Sequence, residues 1–246
     1  MPFYHYTLTL AGIELPCAFR FPETARYFGD YVTGSDASEN ALTVPQADWD
    51  FWPKTGKPVD GFAEYSLFAG AASTGLLRYG RCVIHAAAFR RQDRAWLIAA
   101  KPGVGKTTQI RTLQELYPGE FSVISGDKPV LELRSDGSVL VLPSPWNGKE
   151  NWRGAEAAPL AGVILLRRGE ENRFEATPVK RAAIPVFLSV FSSGETAEIL
   201  QQAADVATAM LKSVPAWTLT THQVPDSTRL LYQTLFDLEE RASDGI

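Results

Sequence analysis

Residues Ala95 to Thr108 read AWLIAAKPGVGKTT, and the fold turns on how that stretch is taken. Ala95–Ala100 is a short apolar run of buried-strand type. It feeds directly into a turn holding Pro102, Gly103 and Gly105. Thr107–Tyr117 then has the make-up of a helix, closed by Pro118-Gly119. Strand, glycine turn and helix, in that order, are what a phosphate cradle needs. The turn offers backbone amides, and the helix N-terminus presents partial positive charge to the anion. The spacing G-x-x-x-x-G-K-[ST] is met except that Ala100 stands in for the first glycine. Alanine there adds one methyl group at the strand exit and is tolerated if its φ is negative. The candidate cradle is therefore Pro102, Gly103, Val104, Gly105, Lys106, Thr107 and Thr108. Lys106 is placed for β- and γ-phosphates and Thr107 for Mg²⁺. The plain alternative is a glycine turn followed by a solvated lysine; the strand–loop–helix context weighs against it.

Outward from this segment the chain reads as a mixed α/β core. Tyr4–Leu10 alternates like a strand, and Phe21–Asp60, rich in Pro, Gly, Asp and Trp, reads as short strands and turns. These form a small β-rich region over residues 1–61, followed by a larger nucleotide-binding region over 62–246. Ala63–Tyr79 has helical spacing and stops at Gly80. Cys82–Phe89 reads as one strand, linked by a hairpin to the loop strand. FSVIS (Phe121–Ser125) is another strand, VLELR and VLVLP form a hairpin around Asp136-Gly137, and AGVILLRR (Ala161–Arg168) is a buried strand. Helices are expected over Ser193–Leu211, with a serine cap and early Glu195 and Glu198, and over Pro225–Arg241.

The totals exclude several classes. The chain has 246 residues, 45% hydrophobic and 21% charged, the balance of an ordinary globular protein. A net charge of −4 argues against a nucleic-acid protein working through an overall positive field. Cys17 and Cys82, with no C-x-x-C pair, make neither a disulfide framework nor a structural zinc site. The N-terminus lacks the basic start and apolar core of a signal peptide, and no apolar run is long enough for a bilayer. A cytoplasmic protein without membrane partners is the expectation.

Phosphoryl transfer needs a carboxylate near the metal or the attacking hydroxyl, and positive charge around the moving group. Asp127, at the end of the strand after the loop helix, is the candidate for base or metal ligand; a turn-capping aspartate is the bland alternative. Lys128 is a candidate transition-state cation or else a solvated turn lysine. His85 lies in an apolar strand, where a hydrogen-bonded core histidine is the usual outcome, but that strand adjoins the loop strand. Pro143–Gly154, PSPWNGKENWRG, suits an active-site loop, with Lys149, Glu150 and Arg153 as its charged members and a surface turn as the alternative. Trp146 and Trp152 either frame a pocket or pack. His5 and His222 have no partner pattern.

The segments VIHAAAF, LIAAKPGVGKTT, VISGDKPVLEL, PSPWNGKENW and LAGVILLRRGEENR together resemble the HPr kinase/phosphorylase-like proteins, whose nucleotide core is shared with phosphoenolpyruvate carboxykinase. The resemblance runs over roughly Ala63 to Arg173. It implies a mixed α/β P-loop kinase core using ATP and Mg²⁺ to phosphorylate a serine-type hydroxyl. By the same resemblance His85 approaches the transferred phosphate, Lys106 binds phosphates and Thr107 the metal. The family's pair of strand-end aspartates falls on Gly126-Asp127, so this chain keeps one carboxylate, and Glu150 is the candidate to supply a second. The part that docks HPr is not evident. Relatives with the GDKP and PW-x-G-K-E forms look like kinases of small molecules or peptides, so the expected acceptor is a serine-containing small molecule, peptide or protein. HPr kinases assemble as hexamers, which puts a homo-oligomer among the expectations. The alternative is a nucleotide-dependent switch or accessory binding protein without an acceptor.

Overall fold

The computed structural model describes residues 3–35, 37–150, 152, 156–193 and 196–243, with 236–243 described by their backbone only. Arg153 and Glu195 lie outside the described residues. Strands β1 (Tyr4–Leu10) and β2 (Ile13–Phe19) form an antiparallel hairpin; after helix α1 (Thr24–Phe28), strand β3 (Val32–Gly34) adds to the other edge of β1. Helices α2 (Gln46–Phe51) and α3 (Gly61–Leu77) follow. Phe21–Asp60 is thus not the run of short strands that its turn residues suggest. The reason lies on α3, where the buried carboxylate of Glu64 accepts from the Arg20 N–H at 2.7 Å, the Phe21 N–H at 3.1 Å and the Thr24 hydroxyl at 2.7 Å. Those bonds tether the chain as it enters α1, while Trp49 anchors α2 in the core. The start of α3 is fixed by Asp60, whose Oδ1 accepts from the Ala63 N–H at 2.9 Å.

The remaining strands build one mixed sheet. In chain order they are β4 (Arg81–Val83), β5 (Ala86–Arg91), β6 (Arg94–Ala99), β7 (Phe121–Ser125), β8 (Val130–Leu133), β9 (Val139–Leu142), β10 (Ala158–Arg168), β11 (Arg173–Ala176) and β12 (Ala216–Thr221). Helix α4 (Lys106–Leu116) follows β6, α5 (Val179–Phe187) and α6 (Ala197–Ser213) precede β12, and α7 (Val224–Ser243) ends the described chain. The spatial order is β4-β8-β9-β10-β6-β5-β7, with β12 against the second half of β10 and β11 against β12. Along β6 the side chains alternate strictly. Ala95, Leu97 and Ala99 join a core with α5 and α6 on one face, and Trp96 and Ile98 join a core with α4 and α7 on the other. A one-residue slip would turn every one of them to the wrong layer, so the loop strand is held in register from both sides.

Two further sequence expectations need correction, and three elements were not expected. Cys82–Phe89 is not one strand: β4 pairs with β8, β5 pairs with β6 and β7, and the chain changes neighbours at Ile84-His85. There the Ile84 N–H donates to Pro129 O at 3.1 Å and the His85 N–H to Ser189 O at 2.6 Å, replacing ladder bonds that a continuous strand would make. Helix α6 is capped not by a serine but by Thr196, whose hydroxyl accepts from the Ile199 N–H at 3.3 Å. Finally, α5, β11 and β12 were not anticipated. Pro185 sits inside α5, a residue that in sequence argues against a helix. No helix among the described residues is long and apolar enough to cross a membrane.

Candidate functional site

Strands β6, β10 and β12 are mutually parallel, and β7 runs with them because both β6 and β7 are antiparallel to β5. Their carboxyl ends therefore open on one edge of the sheet, where ligands of α/β sheets commonly bind. Each end delivers a part of the site: Ala99 to the glycine loop, Ser125 to Gly126-Asp127, Arg168 to the loop's flank, and Thr221 to a network beneath α4.

The loop has the backbone its residue types predict. Gly103 has φ +78° and Gly105 φ +120°, values that favour glycine. Among the described residues only Ala11 and Gln92 combine a side chain with positive φ, so Ala100 carries its methyl without strain. The first helical bond of α4 runs from the Gln109 N–H to Gly105 O at 3.0 Å. The amides of Lys106, Thr107 and Thr108 thus lack intrahelical acceptors at the positive end of the helix. Gln109 locks this helix to the sheet: its amide nitrogen donates to Ser227 Oγ at 2.8 Å and Thr221 Oγ1 at 3.4 Å, and Thr228 Oγ1 donates to its carbonyl at 2.7 Å.

Lys106 is buried, and its Nζ lies 2.9 Å from His85 Nε2 and 3.4 Å from Ala100 O. Desolvation lowers its pKa below the usual lysine value against the attraction of Asp127, and Lys128 pushes the same way. The break between β4 and β5 is what frees His85 to reach this cluster, with its ring edge-on to Phe191 at 5.9 Å. His85 Nε2 also lies 3.4 Å from Asp127 Oδ1, while Asp127 Oδ2 accepts from Lys128 Nζ. A neutral ring accepts from Lys106 through Nε2; a doubly protonated one donates to Asp127. Burial pushes the Asp127 carboxyl up, but the His85 hydrogen bond and the Lys128 charge outweigh it and hold the group well below the usual carboxylate range.

The PSPWNG turn positions this carboxylate. Ser144 Oγ donates to Lys128 O, the Lys128 N–H donates to Trp146 O at 3.2 Å, and Trp146 Nε1 donates to Tyr65 O at 2.8 Å. Trp146 is core rather than pocket wall. A Cβ added at Gly126 would stand 2.5 Å from Asn147 O and 3.3 Å from Trp152 Cε3. The turn therefore occupies the place where a side chain at position 126 would begin. Two buried oxygens near Asp127, Ser125 Oγ and Asn147 Oδ1, have no partner among the described residues.

Other expected residues lie apart. Glu150 is bound to Arg111 at 2.9 Å, on the outer side of α4, and Lys149 is exposed. Among the described residues neither makes a hydrogen bond or ion pair with Asp127. Sequence reasoning missed Arg168, which donates to Gly103 O at 3.1 Å and braces the loop; its place at the end of a buried strand beside the loop strand was the available signal. It also missed Gln109, a polar residue on the inward stripe of α4 with Ile110 and Leu113.

No protein-family model matches the chain, and no curated protein matches it in sequence. Among solved structures it is similar to the HPr(Ser) kinase/phosphatase from Coxiella burnetii, at 12% identity and a TM-score of 0.39, over 66% of this chain and 98% of that one. That likeness is one of fold alone.

Proposed function

We propose that this chain is an ATP-dependent phosphotransferase acting on a serine-type hydroxyl. The observation that carries the reading is the Lys106–His85–Asp127–Lys128 cluster, set at the free N-terminus of α4. Backbone amides of Gly103–Thr108 hold the phosphates, and Lys106 neutralises the β/γ end. Asp127 takes the proton of the acceptor hydroxyl as its oxygen bonds to the γ-phosphorus; the bond to the β–γ bridging oxygen breaks, and ADP leaves. Lys128 keeps the carboxylate ionised beforehand. As its ammonium turns to the phosphoryl oxygens, Asp127 becomes a stronger base.

The oxygen donors on hand, Thr107 Oγ1 and Asp127 with the unpartnered Ser125 Oγ and Asn147 Oδ1, suit Mg²⁺. Thr107 and Asp127 would hold it, and it would neutralise charge building on the transferred group.

The test is transfer of label from γ-labelled ATP with Mg²⁺ to serine-containing peptides and small molecules. Lys106→Ala is expected to lower transfer by about a hundredfold or more, and Asp127→Asn by about 10²–10⁴-fold. Label appearing only as inorganic phosphate with every acceptor supports the switch alternative instead, and an Asp127→Asn variant that transfers normally removes the assigned base.

A further inference from the structure

A cavity of about 850 Å³ opens beside the loop, walled by β10, β12, β11 and α5. Its floor includes His85, and its near side is made by Ala100, Lys101, Pro102 and Val104 of the loop; Gly103, Gly105, Lys106, Thr107 and Thr108 do not line it. The Lys106 ammonium, the group that reaches β- and γ-phosphates, rests against Ala100 O and His85, both cavity residues. A phosphate group held by Lys106 would thus adjoin the cavity through Ala100 and His85.

The walls have a definite chemistry. Arg181, Ile184, Pro185 and Leu188 fall on one face of α5 and line the cavity, while Ala182 and Val186 on the opposite face are buried in the core. Ile184 is 68% and Leu188 73% exposed, high values for apolar side chains that share one concave wall. Arg181 has no side-chain partner among the described residues, and Arg168 binds only the Gly103 carbonyl. The single carboxylate lining the cavity, Glu175, is already paired with Arg173 at 3.6 Å. The result is a pocket with surplus positive charge, from Arg168 beside the loop and Arg181 on α5, along an apolar stripe.

We infer that this cavity is the acceptor site, and that the acceptor is a serine-type hydroxyl compound carrying a carboxylate close to the hydroxyl and an apolar arm. Arg181 and Arg168 take the carboxylate, Ile184 and Leu188 take the arm, and the hydroxyl is left facing His85 and the γ-phosphate. The inference rests on the phosphotransferase reading for its geometry, but binding can be tested apart from transfer.

N-octanoyl-L-serine is the simplest probe of that class. Its binding to the full chain is measured by calorimetry with a non-hydrolysable ATP analogue present, beside its carboxamide and N-acetyl-L-serine. Saturable binding is expected, weakened about tenfold or more in the carboxamide and in Arg181→Ala, the factor for losing one charge-assisted hydrogen bond. Ile184→Asp and the acetyl probe are expected to lose a similar factor. Both substituted side chains are exposed, so the fold is kept, as circular dichroism would verify; Leu188→Asp is the second variant on the apolar wall. Absence of saturable binding, indifference to all three variants, or displacement of the probe by the ATP analogue would overturn the assignment, the last by giving the cavity to the nucleoside. Binding with the expected dependence but without label transfer would uphold the site as an anionic-lipophile pocket and remove the kinase reading alone.

Discussion

Asp127 meets a cation on one carboxylate oxygen and an imidazole on the other before any nucleotide arrives. Its depressed pKa has a consequence for folding that can be signed. In the unfolded chain an aspartate titrates near pH 4, and in the fold below that. The stabilisation is therefore complete above about pH 4 and is lost as pH falls through the lower native value. For metal-free protein, urea titrations at pH 7 and pH 3 should find the wild type losing stability relative to Asp127→Asn on acidification. A difference that does not change with pH would mean that the contacts to His85 and Lys128 are not made in solution. At this scale the sequence was informative about chemistry and silent about room. The strand, glycine turn and helix that carry Lys106 and Thr107 were legible, because they are built from neighbours in the chain. That Gly126 abuts Asn147 was not, because the contact joins segments whose approach only the folded sheet determines.

Helix α4 is both a structural element and the source of the loop's free amides, so its anchoring matters twice. Gln109 is the anchor, 1% exposed, with bonds to β12 and the first turn of α7. Gln109→Leu leaves the Thr228 hydroxyl and its neighbours to re-pair in an apolar setting, at a cost of about 2 kcal/mol. For a chain of this size that corresponds to a fall in Tm of about 4–8 °C, read by thermal denaturation. Nucleotide affinity should fall along with it, since the helix that presents the amides is less firmly held. Elements with a strong local pattern, such as the loop strand, the hairpin around Asp136-Gly137 and α4 itself, were legible from periodicity and turn residues. The break at Ile84-His85 was hidden inside an apolar run, since either side of the break is buried and alternation gives no sign of a change of partner. Pro185 masked α5. Its ring removes one helical hydrogen bond, but α5 is pinned through Ala182 and Val186 in the core, and packing prevails over propensity.

Across the molecule, the three-stranded sheet shares its core with the rest of the chain: Leu8, Leu15 and Phe19 pack in one cluster with Phe68 and Leu76 of α3, Val83, Val130 and Trp146. We propose from this that the N-terminal region, with its own three-stranded sheet and helices α1 and α2, unfolds together with the remainder. The two cysteines report on each part. Cys17 lies in β2 and Cys82 in β4, both buried, with burial pushing each thiol up to about 12. Neither should react with iodoacetamide at pH 8 in the native protein, and in rising urea both should become labelled over the same range. Labelling of Cys17 ahead of Cys82 would mean that the small sheet opens alone. The contact between Gly126 and the Asn147 carbonyl, finally, sets an order on how sequences of this kind can drift. A side chain at 126 is admissible only once the turn at 147–148 has been reshaped. The shapes of the two segments are thus coupled, and a change at one calls for a change at the other.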